Sequence, residues 1–374
     1  MAQPSAPHRF VLLDGLRGLA AIGILAFHVA RDGSPVWVLD PLYLLVDFFF
    51  VLSGFVLLPS LPRTFSNFGR ESFIFIVKRI FRLWPMVVSV IAFSALAYHF
   101  TVWDTHRQGN GFNYDVTRNT HNYIAALLLL QMWVPKALLL VTPLWSLSAE
   151  WFANIAYIPL APIKRTLGIV AGILAGYYLF HQGLNHDTKW IEFVGPIRGK
   201  EAFGRAMIGF GFGLIMRMIA DRTNRWMTNP AWLIISLWLV WWLYNQHSDR
   251  GYNTIYFAAP VFALLVLQAS QVSISHESLL GKLMLKLGAW SFGIYAFHRI
   301  VMDLWNYVTA APLHWYSTPI YMAPNKVWHR YMWEKGITVT LISVALTIAT
   351  AKFIEGPLQR RGEKLVQRIN APSK

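Results

Sequence analysis

The sequence predicts an all-α membrane protein, a polytopic bundle of about ten transmembrane helices. Two observations lead to this fold class. Of the 374 residues, 55% are hydrophobic and only 14% are charged, which is too little charge for the surface of a soluble domain. The chain also contains eleven apolar stretches that approach the roughly 20 residues needed to span a bilayer. These stretches cover residues 11–30, 42–60, 84–103, 121–135, 144–162, 166–182, 202–219, 230–245, 252–270, 288–308 and 336–355.

The apolar stretches form one domain, because no internal repeat, low-complexity tract or long linker separates them. We expect a single transmembrane domain over residues 1–374, with a core at 11–357 and a short basic cytoplasmic tail at 358–374. The N-terminal sequence MAQPSAPHRF lacks the charged region and small-residue cleavage site of a signal peptide. The first apolar stretch is therefore expected to be retained as a membrane span.

The distribution of Lys and Arg predicts the orientation of the bundle. Cytoplasmic loops of membrane proteins are enriched in these residues. The connection 61–83 is rich in them and the connection 31–41 is not, which places the N-terminus in the cytoplasm. The basic tail places the C-terminus there too, so the number of spans must be even. The stretch 121–135 is short and is interrupted by polar residues and a proline, and we expect it to be re-entrant or interfacial on the outer side.

The overall charge and the absence of cysteine exclude several classes of site. A total of 33 Lys and Arg against 18 Asp and Glu gives a net charge of +15. Positive-inside loops and contact with anionic membrane lipids account for such an excess, and its scatter in short runs argues against nucleic-acid binding. Without cysteine there is no disulfide, thiolate metal site or cysteine nucleophile. The twelve histidines have no metal-ligand spacing, so no metal site is expected.

The first span carries the most informative polar residues. Asp14 and Arg17 lie near its beginning and His28 near its end. Ionisable groups at membrane depth are costly and are functional candidates for that reason. Arg17 and His28 are eleven residues apart, which places them on one helix face about 16 Å apart along the axis. This arrangement suits chemistry that reaches across a bilayer.

Two further motifs follow. The second span contains DFFFVLSGF, in which Ser53 and the following glycine allow another backbone to approach closely; plain helix packing is the alternative reading. The third span begins with KRIFRLWP, in which Arg79 and Arg82 share one face at the cytoplasmic surface. Paired arginines suit bidentate phosphate binding, although positive-inside residues would look the same.

Two later motifs place polar groups inside the membrane. In PLWSLSAEWF, Trp145 precedes Ser146 and Glu150, which are i,i+4 neighbours. Glu150 could orient a histidine or bind a hydroxylic substrate, or Ser146 could simply cap the helix. In GAWSFGIYAFHRI, Tyr295 and His298 share a face that points into the bundle. His298 lines a cofactor passage or satisfies a helix–helix hydrogen bond.

In their order, these motifs resemble the membrane-bound acyltransferase-3 family. The resemblance rests on LDGLRGLAA with a histidine eleven residues after the arginine, FFFVLSGF, KRIFR, WSLSAEW, SFGIYAFH and FIEGPL. The series extends from Leu12 to Pro357. In the last motif, Glu355 and Gly356 precede the proline where the family commonly has an arginine, so we assign no role to that position.

The resemblance implies a bacterial inner-membrane enzyme with ten helices and both termini in the cytoplasm. Such enzymes take an acyl group, usually acetyl, from cytoplasmic acyl-coenzyme A, which is a donor substrate and not a permanently bound cofactor. The acceptor is a hydroxyl of an extracytoplasmic or lipid-linked glycan, such as an exopolysaccharide or O-antigen. By the same resemblance, Arg17 and His28 form the essential pair, and Arg79 and Arg82 meet the coenzyme A phosphates.

The resulting hypothesis gives each candidate residue a role. His28 deprotonates the acceptor or forms an acyl-histidine relay, with Arg17 and Glu150 also in the catalytic group. Tyr295 and His298 join the arginines in binding the donor. The acceptor meets the residues Ser146, Asp14, Trp145 and Ser53.

Two other classes of function remain open from the sequence. A transporter or flippase for a polar or glycan substrate would also place polar groups in a bundle, although two matching halves are not seen. The second class of function that remains open is a non-catalytic membrane sensor. The sequence predicts neither the acceptor glycan nor the oligomeric state.

Overall fold

The computed structural model of the chain describes residues 10–31, 37–105, 119–186, 196–222, 229–246, 254–310 and 325–370. Within these ranges the regular structure is entirely helical. The α-helices are α1 (Val11–Arg31), α2 (Leu45–Leu57), α3 (Phe68–Thr105), α4 (Thr120–Leu127), α5 (Pro135–Leu140), α6 (Leu144–Leu160), α7 (Thr166–His186), α8 (Gly199–Ala220), α9 (Pro230–Asn245), α10 (Ile255–Gln271), α11 (Leu279–Ala310), α12 (Asn325–Thr350) and α13 (Gly356–Asn370). Short 3₁₀ turns flank α2, and a π-helical turn, Ala351–Glu355, joins α12 to α13.

The outer surface of the bundle is apolar, as a protein in lipid requires. Leu174 on α7, Trp241 on α9 and Leu341 on α12 are each more than 60% exposed. An apolar surface of this extent would not be stable in water. In the described part of the chain, six stretches are long and apolar enough to cross a membrane: Val11–Ala30, Leu39–Ser60, Phe68–His99, Thr166–Asn185, Gly199–Ala220 and Met332–Ile369. The predicted helical membrane bundle is confirmed.

Helices α1 and α11 pack against each other in parallel. Arg17 contacts Gly288 near the beginning of the pair and His28 contacts His298 further along, so both chains run the same way. The helices approach closely because a glycine lies at the crossing: a Cβ on Gly18 would lie 2.6 Å from the Cβ of Leu287. Parallel spans differ by an even number in chain order. The ten-span prediction meets this condition, and the number of spans itself stays a prediction.

Helices α3 and α6 pack antiparallel, which bears on the stretch 121–135. Arg79 contacts Glu150, and Trp84 packs edge-to-face on Trp151 at 4.9 Å between ring centroids. Near the other end of α3, the Tyr98 hydroxyl donates to the carbonyl of Leu140 at 3.3 Å. The chain therefore begins α6 at the same end of the bundle where it leaves α3. The described residues 119–143 between them form two short helices with turns, and their re-entrant or interfacial placement stays a prediction.

Helices α2 and α8 form a second parallel pair with unusually close backbones. A Cβ on Gly54 would collide with the carbonyl of Phe210, and a Cβ on Gly213 would collide with the carbonyl of Val51. The glycine of the FFFVLSGF motif thus has the close-approach role expected from the sequence. This packing also fixes the position of the neighbouring Ser53 on α2.

The α2–α8 pair contains a fully buried ion pair. Arg205 donates from Nη2 to Asp47 Oδ2 at 2.8 Å and from Nε to Oδ1 at 3.2 Å. Its Nη1 donates to the carbonyl of Pro196 at 3.1 Å, and the guanidinium lies 5.2 Å from the ring centroid of Trp145. A charge buried without a partner would be strongly destabilising, so these bonds hold α2 and α8 in register.

We predict that Gly213→Ala destabilises the protein by about 1 to 3 kcal/mol, because the added methyl group forces the α2 and α8 backbones apart. The matched control is Gly336→Ala on α12, where no atom lies within 4 Å of the new Cβ. Gly336→Ala should leave stability unchanged or raise it slightly, since alanine favours helix. Thermal unfolding followed by tryptophan fluorescence in detergent measures both variants. Equal melting temperatures for the two would show that the crossing tolerates a wider separation.

Candidate active site

Five helices surround a cavity of about 200 Å³ near the beginning of α1. Helices α1, α2, α3, α6 and α11 each contribute to its wall. Part of the lining is apolar and includes Phe49 and Phe292. The polar lining residues are Arg17, Ser53, Arg79, Arg82, Ser146, Glu150, Ser291 and Tyr295. Residues from distant parts of the sequence thus form one polar chamber inside an apolar bundle.

Glu150 is the centre of a hydrogen-bonded network in the cavity wall. It forms an ion pair with Arg79 and accepts a hydrogen bond from the Ser53 hydroxyl at 2.7 Å. In the amide orientation that satisfies its neighbours, Asn154 also accepts from Nη2 and Nε of Arg79, each at 3.1 Å. The charge of Glu150 is therefore compensated by Arg79. The hydrogen bonds described for Glu150 go to Arg79 and Ser53 and not to a histidine, and its role in orienting a histidine stays a prediction.

Arg82 faces the cavity one helical turn after Arg79 and has a different partner. It forms an ion pair with Glu355, the last residue of the π-helical turn. The amide of Gln359 on α13 donates to the same Glu355 oxygen at 2.8 Å. The Arg82 side chain is 45% exposed, whereas that of Arg79 is 11% exposed. Arg82 is consequently the more accessible of the two for an anion from solvent.

Arg17 lines the cavity from helix α1. Its Nη2 donates to the carbonyl of Gly288 on α11 at 2.8 Å and lies 3.1 Å from Oδ1 of Asp14. Asp14 thus holds the arginine rather than facing the cavity itself. Arg17 is tied to both helices of the α1–α11 pair, and its position follows from their packing.

Tyr295 lies at the inner end of the cavity. Its hydroxyl donates to the carbonyl of Pro143 at 2.9 Å and shares a hydrogen bond with Ser146 at 2.7 Å. Pro143 precedes the first residue of α6, and Ser146 makes no cap hydrogen bond, so the capping alternative for Ser146 does not apply. These contacts join α11 to the beginning of α6 at this end of the cavity.

The two histidines of the motifs meet beyond Tyr295. His28 Nδ1 lies 3.2 Å from His298 Nε2, and the ring centroids are 4.9 Å apart. His298 is fully buried, and its ring lies 6.0 Å from that of Tyr295. Helix α11 therefore connects the cavity to the histidine pair along one face, through Ser291, Tyr295 and His298.

The structure brings most of the sequence-predicted residues together. Seven of them line the cavity: Arg17, Ser53, Arg79, Arg82, Ser146, Glu150 and Tyr295. His28 and His298 form their own pair one turn further along α11, and Asp14 supports Arg17. Trp145 is buried against Phe50 and Arg205 and is not among the described residues that line the cavity. Its acceptor role stays a prediction.

Sequence reasoning missed three residues of this arrangement. Asn154 lies one turn after Glu150, where an i,i+4 pattern could have indicated it. Arg205 is a charged residue inside an apolar span, which is itself a signal of a buried partner. Glu355 had no role because its motif departs from the family pattern, and no signal in the sequence linked it to Arg82.

Comparisons with known proteins identify the family of this chain. The sequence profile of the acyltransferase-3 family, described as "Acyltransferase domain", matches residues 10–352. The chain is 33% identical over 185 residues to "Protein 2 in picA locus" of Rhizobium radiobacter, an alignment that covers 45% of this chain and 92% of that protein. It is 25% identical over 350 residues to "Acyltransferase MdmB" of Streptomyces mycarofaciens, covering 79% of each.

A longer relative is "Putative O-acetyltransferase SACOL0978" of Staphylococcus aureus (strain COL), 22% identical over 397 residues. That alignment covers 94% of this chain but 58% of the relative. No solved structure gives a significant match. The family match extends over nearly the whole chain and includes every described residue that lines the cavity. The protein is an integral membrane enzyme and belongs to the acyltransferase-3 family.

Proposed function

We propose that this protein transfers an acyl group, most simply acetyl, from acyl-coenzyme A to a hydroxyl of a cell-surface or lipid-linked glycan. The observation that carries the proposal is the arginine-lined cavity joined along α11 to the buried histidine pair. Family membership supports the acyl transfer, and the name of the Staphylococcus aureus relative supports an oxygen acceptor and an acetyl group. A transporter would not need this combination.

The charge of the cavity suits the phosphates of coenzyme A. Three guanidinium groups line it, while the described lining contains one carboxylate, Glu150, which Arg79 already neutralises. Guanidinium groups bind phosphate oxygens through paired, charge-assisted hydrogen bonds. We assign the phosphate contacts to Arg82 and Arg17, whose side chains are 45% and 30% exposed. Arg79 supports them by holding Glu150 and Ser53 in place.

The proposal places the protein in the bacterial inner membrane with both termini in the cytoplasm. The cavity end of α3 is close to the basic connection 61–83, which the positive-inside rule assigns to the cytoplasm. Acyl-coenzyme A would then bind from the compartment where it is made. The histidine pair lies deeper, where an acceptor can approach from the opposite face.

The proposed chemistry is a direct acyl transfer with His28 as general base. His28 takes the proton from the acceptor hydroxyl while the oxygen of that hydroxyl attacks the carbonyl carbon of the thioester. The carbon–sulfur bond then breaks, and coenzyme A leaves as a thiolate that receives the proton from His28. Acceptor ester and free coenzyme A are the products. In a relay, the imidazole itself would carry the acyl group between the two steps.

We predict that His28→Ala lowers the rate of transfer about 10²- to 10⁴-fold and leaves measurable residual activity, since general base catalysis contributes a factor of this size. The assay uses inverted membrane vesicles from the native host and [¹⁴C]acetyl-coenzyme A, with label counted in the glycan fraction. The control is His181→Ala, which removes a histidine of α7 that contacts Tyr256 and not the site. Right-side-out vesicles should give no labelling, because the donor cavity then faces the lumen.

Four results would contradict parts of the proposal. Wild-type labelling unchanged in His28→Ala would remove His28 as the base. Labelling of right-side-out vesicles alone would reverse the orientation. Absence of label with folded protein and native glycan present would overturn acyl transfer and favour a transporter or sensor. Label that remains on the denatured protein would indicate the acyl-histidine relay.

We predict that Arg82→Ala raises the KM for acetyl-coenzyme A about tenfold, with kcat less affected, because one hydrogen-bonded cation is lost from the phosphates. The matched control is Lys78→Ala, which removes one positive charge from the same helix at an exposed position that does not line the cavity. Lys78→Ala should change KM little. Similar KM increases in both variants would indicate a general effect of surface charge and not a phosphate site.

We predict that Glu355→Gln lowers the KM for acetyl-coenzyme A about two- to fivefold. In the structure the carboxylate of Glu355 forms an ion pair with Arg82. The phosphates of the donor must displace this carboxylate in order to bind Arg82. An exposed ion pair contributes about 0.2 to 1 kcal/mol, which is the free energy that the donor would no longer have to offset. Glu363→Gln is the control, since it removes an exposed negative charge from α13 without touching Arg82. A KM that rises in Glu355→Gln would show that Glu355 organises the donor site instead of competing with the donor.

A further inference from the structure

In the hydrogen bond between His28 and His298, the donor and the acceptor can be assigned from the surrounding backbone. We propose that His298 is a positioning residue that fixes the tautomer of His28 and supports the charge that His28 gains during transfer. This inference rests on the proposed function, because it assumes that His28 acts as the base. It assigns a role to His298 different from the donor-binding role expected from the sequence.

The backbone of α11 determines which ring nitrogen of His298 carries the proton. Its Nδ1 lies 2.7 Å from the carbonyl oxygen of Tyr295 and 3.3 Å from that of Ile294. A carbonyl oxygen can only accept, so Nδ1 must carry the hydrogen. In the neutral imidazole the other nitrogen then has a lone pair. His298 therefore presents Nε2 to His28 as a hydrogen-bond acceptor.

The proton on His28 follows from the same argument. Its Nδ1 faces the carbonyl oxygen of Ile24 at 2.9 Å and Nε2 of His298 at 3.2 Å. Both are acceptors, so Nδ1 of His28 carries the hydrogen and donates to them. The basic lone pair of neutral His28 is consequently on Nε2. His298 and the α1 backbone together select the tautomer whose Nε2 can take a proton.

His298 also compensates the charge of the reacting state. When His28 takes the acceptor proton on Nε2 it becomes a cation, and its Nδ1–H bond to His298 becomes charge-assisted and stronger. A carboxylate has this position in many catalytic triads. Among the described residues, two neighbouring carboxylates pair with other cations: Glu150 pairs with Arg79, and Asp303 pairs with Arg299 at 3.1 Å. A neutral histidine supports the base without adding a buried negative charge.

The test compares two substitutions of His298 in the vesicle assay at saturating acetyl-coenzyme A. His298→Leu removes the acceptor, and kcat should fall about 10- to 100-fold with an unchanged KM, as expected when part of the base catalysis is lost. His298→Gln places an amide oxygen near the position of Nε2, where it can still accept from His28. It should recover kcat to within about fivefold of wild type.

Two controls separate positioning from folding. Met302→Ala removes a fully buried side chain one turn further along α11 and should lower the melting temperature without changing kcat. In the His28→Ala background, His298→Leu should cause no further loss, because a positioning residue acts only through its partner. A further loss in that background would assign His298 an independent role and overturn the proposal.

The remaining outcomes are distinguishable. An active wild type with undiminished kcat in His298→Leu would overturn this inference and leave the acyltransferase intact. Equal losses in His298→Leu and His298→Gln would assign His298 a packing role and also overturn it. An inactive wild type with native glycan present would overturn the proposed function, and the inference with it.

Discussion

The parallel packing of α1 on α11 is the interaction on which the rest of the site depends. It is held at two levels, by Arg17 on the carbonyl of Gly288 and by His28 on His298. Because both helices are rigid, the distance between the arginine and the histidine is set by helix geometry and not by loop conformation. A helix pair of this kind keeps Arg17 and His28 in a constant relation while other helices adjust around them.

Paired charges explain how polar groups persist inside this bundle. Asp47 with Arg205 and Glu150 with Arg79 are both taken out of water, and each charge alone would be costly in that environment. The two pairs have different surroundings. The first is sealed between α2 and α8 and acts as a structural clamp, whereas the second faces the cavity and shapes its wall.

The sequence predicted the helices well because hydropathy and length determine which segments lie in lipid. It also predicted that Arg17 and His28 share a face, since that follows from the helical repeat alone. Contacts between distant segments were harder to predict from the sequence. Glu150 was assigned to a histidine but contacts Arg79 and Ser53, and the partner of His28 is 270 residues away in the chain. Polarity and periodicity indicate that such groups face inward, but only the packing of several helices determines which of them meet.

The hydroxyl contact of Tyr295 with Ser146 and Pro143 bears on the permeability of the membrane to ions. A continuous aqueous path through the bundle would let protons and other ions leak and would dissipate the gradients across the membrane. Along α11 the hydroxyl contact lies between the arginine-lined chamber and the histidine pair, where it holds α6 and α11 together. A polar chamber can then lie inside the bundle while the membrane around it stays impermeable to ions.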